Sequence, residues 1–231
     1  MNERIQDPLF VTPPDLIAWR RVLTGLNLIR FAAIGWLSGL AALFFLIPMV
    51  IILAESRFAA PWLGFALAAA IVGYFAILLL MLFAGMLVCC RAPADFRANH
   101  YARLAVVFAL MFAIGVGIAF ALPHLPAWAP RLAMPVNWLL NNYDWLLIIV
   151  LLVNLIVAVA TWFRFLCAVA EFLREPKQAA HINEFIWWFC ALAGMPLLLV
   201  VGLALLIDTR KLLRNALLHA QKSAAKEQAT V

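Results

Sequence analysis

Charge is scarce in this chain. Of 231 residues, 12% are Asp, Glu, Lys or Arg and 68% are hydrophobic, with a mean hydropathy of +1.03. Soluble domains carry about 25% charged and about 45–50% apolar residues. An apolar excess this large has nowhere to go in water, so the composition excludes a soluble protein and indicates an integral membrane protein. Other absences narrow the reading further. There is no Gly-rich phosphate loop, no low-complexity tract and no obvious repeat. MNERIQDPLF is followed by no short apolar core with a small-residue cleavage site, so no cleaved signal peptide is expected. The four cysteines, two of them adjacent, do not form a disulfide framework of the secreted kind. No charged residue stands at the middle of any apolar run, which argues against a proton-coupled transporter or pump.

What the chain has instead is five uncharged apolar runs: Phe31 to Ala54, Trp62 to Val88, Leu104 to Leu122, Trp145 to Phe163 and Phe185 to Ile207. Each meets or exceeds about 18 residues, the length that reads as a span of a hydrocarbon layer about 30 Å thick. Lipid offers no partner for backbone polar groups, so each run must be helical. The expected fold class is all-α: a polytopic transmembrane helix bundle of about five spans, residues 15–207. A disordered lead-in occupies 1–14 and a basic helical tail 208–231. Asp15 is placed to cap an amphipathic helix with Trp19, Val22 and Leu26 on one side and Arg20 and Arg21 on the other. This segment is expected to lie in the head-group layer before running into the first span. Pro123 to Asp144, rich in Pro and Trp, reads as a lid along the opposite interface.

Val153 to Pro176 passes from buried helix to charged helix without a break in pattern. Arg164 can snorkel to the phosphates, Glu171 and Arg174 can pair at i,i+3, and Pro176 closes the segment. Asn154 lies deep in the same run. Its amide is expected either to hydrogen-bond a neighbouring helix as packing glue or to bind a substrate or ion. Gly35 and Gly39 form a GxxxG face for close helix approach, within the chain or at a homodimer seam.

Lys and Arg locate the sides. With a cytoplasmic N-terminus that side takes Arg4, Arg20, Arg21, Arg30, Arg91, Arg97, Arg103, Arg164, Arg174 and Lys177, and the opposite loops take Arg57 and Arg131. This is a strong positive-inside signal. Five crossings would then leave Arg210, Lys211, Arg214, Lys222 and Lys226 outside, against the rule. The alternative is that the fifth run, interrupted at Gly194-Met195-Pro196, dips in and returns. The same orientation puts Cys89, Cys90, Cys167, Cys190, His100 and His181 towards one face, a thiol and imidazole set of the kind that holds zinc or copper(I). There is no CxxC or HxxxH spacing among them, and buried Cys is commonly a small hydrophobe. No cofactor is called for, and no His lies within a run to ligate haem.

Three stretches together resemble a known group. Trp19-Arg-Arg-Val-Leu-Thr-Gly-Leu-Asn-Leu-Ile29 leads into the first span, Cys90-Arg-Ala-Pro93 follows the second, and Phe163-Arg-Phe-Leu-Cys-Ala-Val-Ala-Glu-Phe-Leu173 leaves the fourth. Their order and spacing resemble uncharacterised multispan membrane proteins of the planctomycete type. That group has a WRKVRxGL lead-in, a Cys-containing turn with Pro and an FLxxLAxYL exit helix. Glu171-Phe172 and Ala94-Asp95-Phe96 depart from the pattern. The resemblance implies a multispan helical membrane protein and carries over no activity, cofactor or binding residue.

Two functional classes follow. One is a non-catalytic membrane scaffold or assembly subunit, whose partners are the lipid bilayer and other membrane subunits or a second copy. The other is a small transporter or permease component built around Asn154 and the break at Pro196. An enzyme ranks third, because no pair of titratable groups shares a plausible site. The net charge of +6 suits anionic lipid head groups better than nucleic acid.

Overall fold

The computed structural model describes residues 13–55, 61–93, 98–122, 133–191 and 196–229. Six helices account for nearly all of them: α1 (Pro13–Glu55), α2 (Pro61–Cys89), α3 (Ala98–Ala121), α4 (Ala133–Phe172), α5 (Pro176–Ala191) and α6 (Pro196–Ala229). The fold is all-α and fits a helical bundle, and no strand occurs among the described residues. Four helices are long and apolar enough to cross a membrane, with candidate spans Leu16–Pro48, Ala69–Cys89, Ala98–Ala119 and Trp145–Phe172.

The fifth run, Phe185 to Ile207, includes residues 192–195, which lie outside the described residues. Phe185 to Ala191 ends α5, and Pro196 is the first residue of α6. Proline is pre-organised for a first helical position and has no N–H to lose there. Twelve residues, 196–207, then remain before Asp208. They rise about 18 Å, short of a hydrocarbon layer of about 30 Å. The helical tail expected from 208 is continuous with this stretch, and α6 runs on to Ala229. Gly194 and Met195 lie outside the described residues, as do residues 1–12.

Other boundaries moved for identifiable reasons. Helix α1 begins at Pro13, so Asp15 lies in its first turn rather than before it. Helix α4 begins at Ala133, so the second half of the expected lid is helical, with Pro135 in the first turn where proline is tolerated. Residues 123–132 lie outside the described set. Pro176 opens α5 instead of ending the helix before it. The stop comes earlier. Arg174 adopts φ 59°, its N–H bonds the Glu171 carbonyl, and the Glu175 N–H bonds the Ala170 carbonyl, both at 3.0 Å. That pair of bonds is a Schellman cap, with Arg174 in the left-handed position glycine usually takes.

The chain divides into two compact units, Met1–Pro93 with Leu203–Val231, and Ala94–Gly202. In the first unit α1 and α2 form a tight antiparallel hairpin. A Cβ at Gly25 would sit 2.7 Å from the Gly85 carbonyl oxygen, and one at Gly85 would sit 2.8 Å from the Gly25 carbonyl oxygen. Backbones can approach this closely only where both helices lack side chains. Further along, Gly35 meets Leu78 and Gly39 meets Tyr74 and Phe75, while Trp36 and Phe75 rings lie 4.7 Å apart. In the second unit α4 carries contacts to both α3 and α5. Leu151 fills the space above Gly115, and Phe163 packs on Phe185 at 4.5 Å with Gly202 beneath them. Helix α5 buries Ala179, Ile182, Phe185, Ile186 and Phe189 along one face. That spacing of three and four residues is a core-facing stripe.

Burial is uneven along every long helix. In α1 it gathers at Trp19, Val22, Leu26, Ile29 and Ala32, and in α4 between Ala158 and Ala170. The far halves of the spans, such as Phe44 and Phe45 or Ile148 and Ile149, are exposed large apolar residues.

Candidate functional site

The candidates named from sequence fall into four groups. Asn154 is half-buried and donates its Nδ2–H to the Val150 carbonyl at 3.0 Å, four residues back on its own helix. That bond satisfies part of the amide without tying two helices together. Asn154→Leu should therefore change the thermal denaturation midpoint in detergent very little. A loss beyond about 1 kcal/mol, the scale of a hydrogen bond between membrane helices, would reveal a partner on another helix.

The thiols and imidazoles do not converge. Among the described residues, no group of three or more His, Cys, Asp or Glu side chains is placed to hold a metal ion. Cys89 is buried beside the Gly25–Gly85 crossing, its Sγ 3.8 Å from the Val22 carbonyl. Cys167 is buried in the other unit. Its Sγ lies 3.5 Å from the Ala179 carbonyl on α5 and 3.7 Å from Glu171 Oε1. These two cysteines act as small residues at helix contacts. Cys190, His100 and His181 are exposed and Cys90 is half-buried. Glu171, expected to pair with Arg174, accepts from Cys167 instead.

Gly35 and Gly39 serve the α1–α2 hairpin. The Tyr74 hydroxyl donates to the Gly35 carbonyl at 2.9 Å, and Ser38 Oγ donates to the same oxygen at 3.0 Å. Beside them an open groove of about 490 Å³ runs between the helices, lined by Gly39, Leu43, Leu46, Leu67, Ile71 and Phe75 among others. The Ser38 and Tyr74 hydroxyls that also line it are already committed to Gly35, so the groove offers dispersion contact and little else.

Of the interface residues, Arg20, Arg21 and Arg164 are exposed, as a snorkelling role requires. Trp19 is 1% exposed and belongs to the core stripe of α1. The amphipathic pattern at 16–29 was real, but its apolar face meets protein rather than lipid. The indoles at 145, 187 and 188 are exposed and suit a membrane boundary better.

Sequence reasoning passed over two features. The Gly25–Gly85 crossing carried a signal, since Gly85-Met-Leu-Val-Cys89 is a small-xxx-small pattern like the Gly35–Gly39 one. The second is a side-chain bond from Arg210 Nε on α6 to Asn27 Oδ1 on α1, 183 positions apart. No local pattern announces it.

The long apolar helices define the class of this chain as a membrane protein. Comparison with protein-family models, with curated proteins and with solved structures found no match.

Proposed function

We propose that this chain is a non-catalytic scaffold or assembly subunit, crossing the cell membrane several times with its N-terminus in the cytoplasm. The observation that carries the reading is the burial of the spans. Within the most apolar window of each, only 11–17% of residues are buried in the chain itself. A transporter encloses its site among its own helices at mid-membrane depth. Here the packed residues gather towards one end of α1 and α4, and the remaining lengths present bare Phe, Ile, Leu and Val. Such surfaces suit lipid and the helices of neighbouring subunits. The amide of Asn154, the polar group on which a transport site would rest, is engaged on its own helix.

The orientation rests on the Lys and Arg count. Four crossings return the tail to the side of the N-terminus, so that Arg210, Lys211, Arg214, Lys222 and Lys226 join the cytoplasmic set and leave Arg57 and Arg131 opposite. The kinship with multispan proteins of the planctomycete type is part of the same proposal. Affinity isolation from native membranes in mild detergent, with mass spectrometry of what co-purifies, tests the function. A stable heteromeric complex is expected, and a lone monomer would overturn the scaffold reading.

A further inference from the structure

The first unit holds three arginines that pair with no carboxylate among the described residues. Asn27 and Arg30 are three residues apart on α1 and share a face, and Arg210 and Arg214 are four apart on α6 and share another. The bond from Arg210 to Asn27 Oδ1 brings the two faces together. Arg30 lies against the Phe31 ring, its guanidinium carbon 4.6 Å from the centroid, and its Nε is buried with no hydrogen-bond partner among the described residues. Among those residues no carboxylate forms an ion pair with Arg30, Arg210 or Arg214. Asp208, the acid nearest in sequence, is 3.7 Å from Lys211. The arginines feel one another. Burial, then the charges of Arg30 and Arg214, hold the Arg210 guanidinium below its ordinary pKa.

Gathering like charges costs free energy unless something of opposite sign sits among them. The depth says what that is. On α1 the change from polar to apolar sequence falls between Arg30 and Phe31, and on α6 it falls between Ile207 and Asp208. Both changes meet where Arg210 touches Asn27, and guanidiniums placed beside the start of an uncharged run suit lipid phosphates better than hydrocarbon. Guanidinium forks match phosphate oxygens in pairs, and basic pockets between membrane helices bind anionic head groups. We propose that Arg30, Arg210 and Arg214, with Asn27 holding Arg210 in place, form a binding site for a phosphate anion, that of an anionic phospholipid head group. The bound lipid would join the tail helix to the first span. This goes beyond the scaffold reading and does not depend on it.

The test uses the purified full-length chain in detergent and native mass spectrometry, with phosphatidylglycerol, phosphatidylcholine and inorganic phosphate as separate probes. The wild type should retain one phosphatidylglycerol per chain and raise its melting temperature with that lipid, and do neither with phosphatidylcholine. Arg30→Gln and Arg210→Gln should lower the retained fraction at least tenfold, while Arg20→Gln, exposed and elsewhere on α1, should leave it unchanged. Arg214→Gln guards against a folding artefact, because Arg214 is exposed and its loss should weaken retention without lowering the melting point of the lipid-free chain. Equal retention by the wild type and all three variants would overturn the site. A melting shift with inorganic phosphate and none with phosphatidylglycerol would overturn the lipid assignment.

Discussion

Alanine at Gly25 or at Gly85 should loosen the first hairpin more than any other glycine replacement in the described residues. A Cβ on Gly25 would lie 2.6 Å from Cys89 Sγ and 2.7 Å from the Gly85 carbonyl oxygen; one on Gly85 would lie 2.6 Å from Ile29 Cγ1 and 2.8 Å from the Gly25 carbonyl oxygen. Side chains can turn away, but a carbonyl inside a helix cannot, so the two helices must separate. Overpacking of a tight core costs about 1–3 kcal/mol, and here it would also part contacts along the rest of the seam. Gly35→Ala and Gly115→Ala should cost less, because they meet flexible leucine ends at Leu78 and Leu151. Gly73→Ala and Gly117→Ala meet nothing within 4 Å. In a helix interior they gain about 0.5–1 kcal/mol from reduced backbone entropy. The six variants, melted side by side in one detergent, should therefore fall in three tiers. Equal melting points across the series would mean that the backbone crossing does not hold the hairpin.

That crossing marks the limit of what the sequence could disclose. The helical class was legible because apolar runs at Phe31, Trp62, Leu104 and Trp145 leave the backbone no other solution in lipid. The unbroken passage through Arg164 to Glu171 was legible too, since no helix breaker intervenes before Pro176. Hydropathy does not distinguish lipid from protein as the cover for an apolar face. The apolar face of Trp19, Val22 and Leu26 is covered by protein, which the sequence pattern alone does not distinguish from cover by lipid. The same blindness hid the partner of Asn154, whose amide reaches its own Val150 carbonyl in a way no spacing rule separates from a bond to another helix. Pro196 was ambiguous for a different reason. Proline is tolerated within packed membrane helices and favoured at helix starts, and its place as the first residue of α6 agrees with the second. The Asn27–Arg210 bond depends on the return of the chain through α6, which is a property of the fold.

The position of the tail follows from that bond, and its expected result is categorical. Sequence alone favours a fifth crossing over Phe185 to Ile207, which would carry Ser223 to the outside. Four candidate spans and the Arg210–Asn27 contact predict the reverse, because Asn27 lies in the N-terminal half of α1, ahead of the uncharged run that begins at Phe31. Single cysteines at His100, Lys177 and Ser223, all exposed, should resist a membrane-impermeant maleimide on intact cells and react once the cells are permeabilised. Cysteines at Ser56 and Asn141 should react on intact cells. The background needs Cys89, Cys90, Cys167 and Cys190 replaced; alanine suits Cys89, which is a small buried residue at the hairpin seam. Labelling at position 100 would overturn the orientation drawn from the Lys and Arg distribution. Labelling at 223 with 100 protected would mean that the chain crosses a fifth time, and the arginine site at the head of the first span could not then form in the membrane.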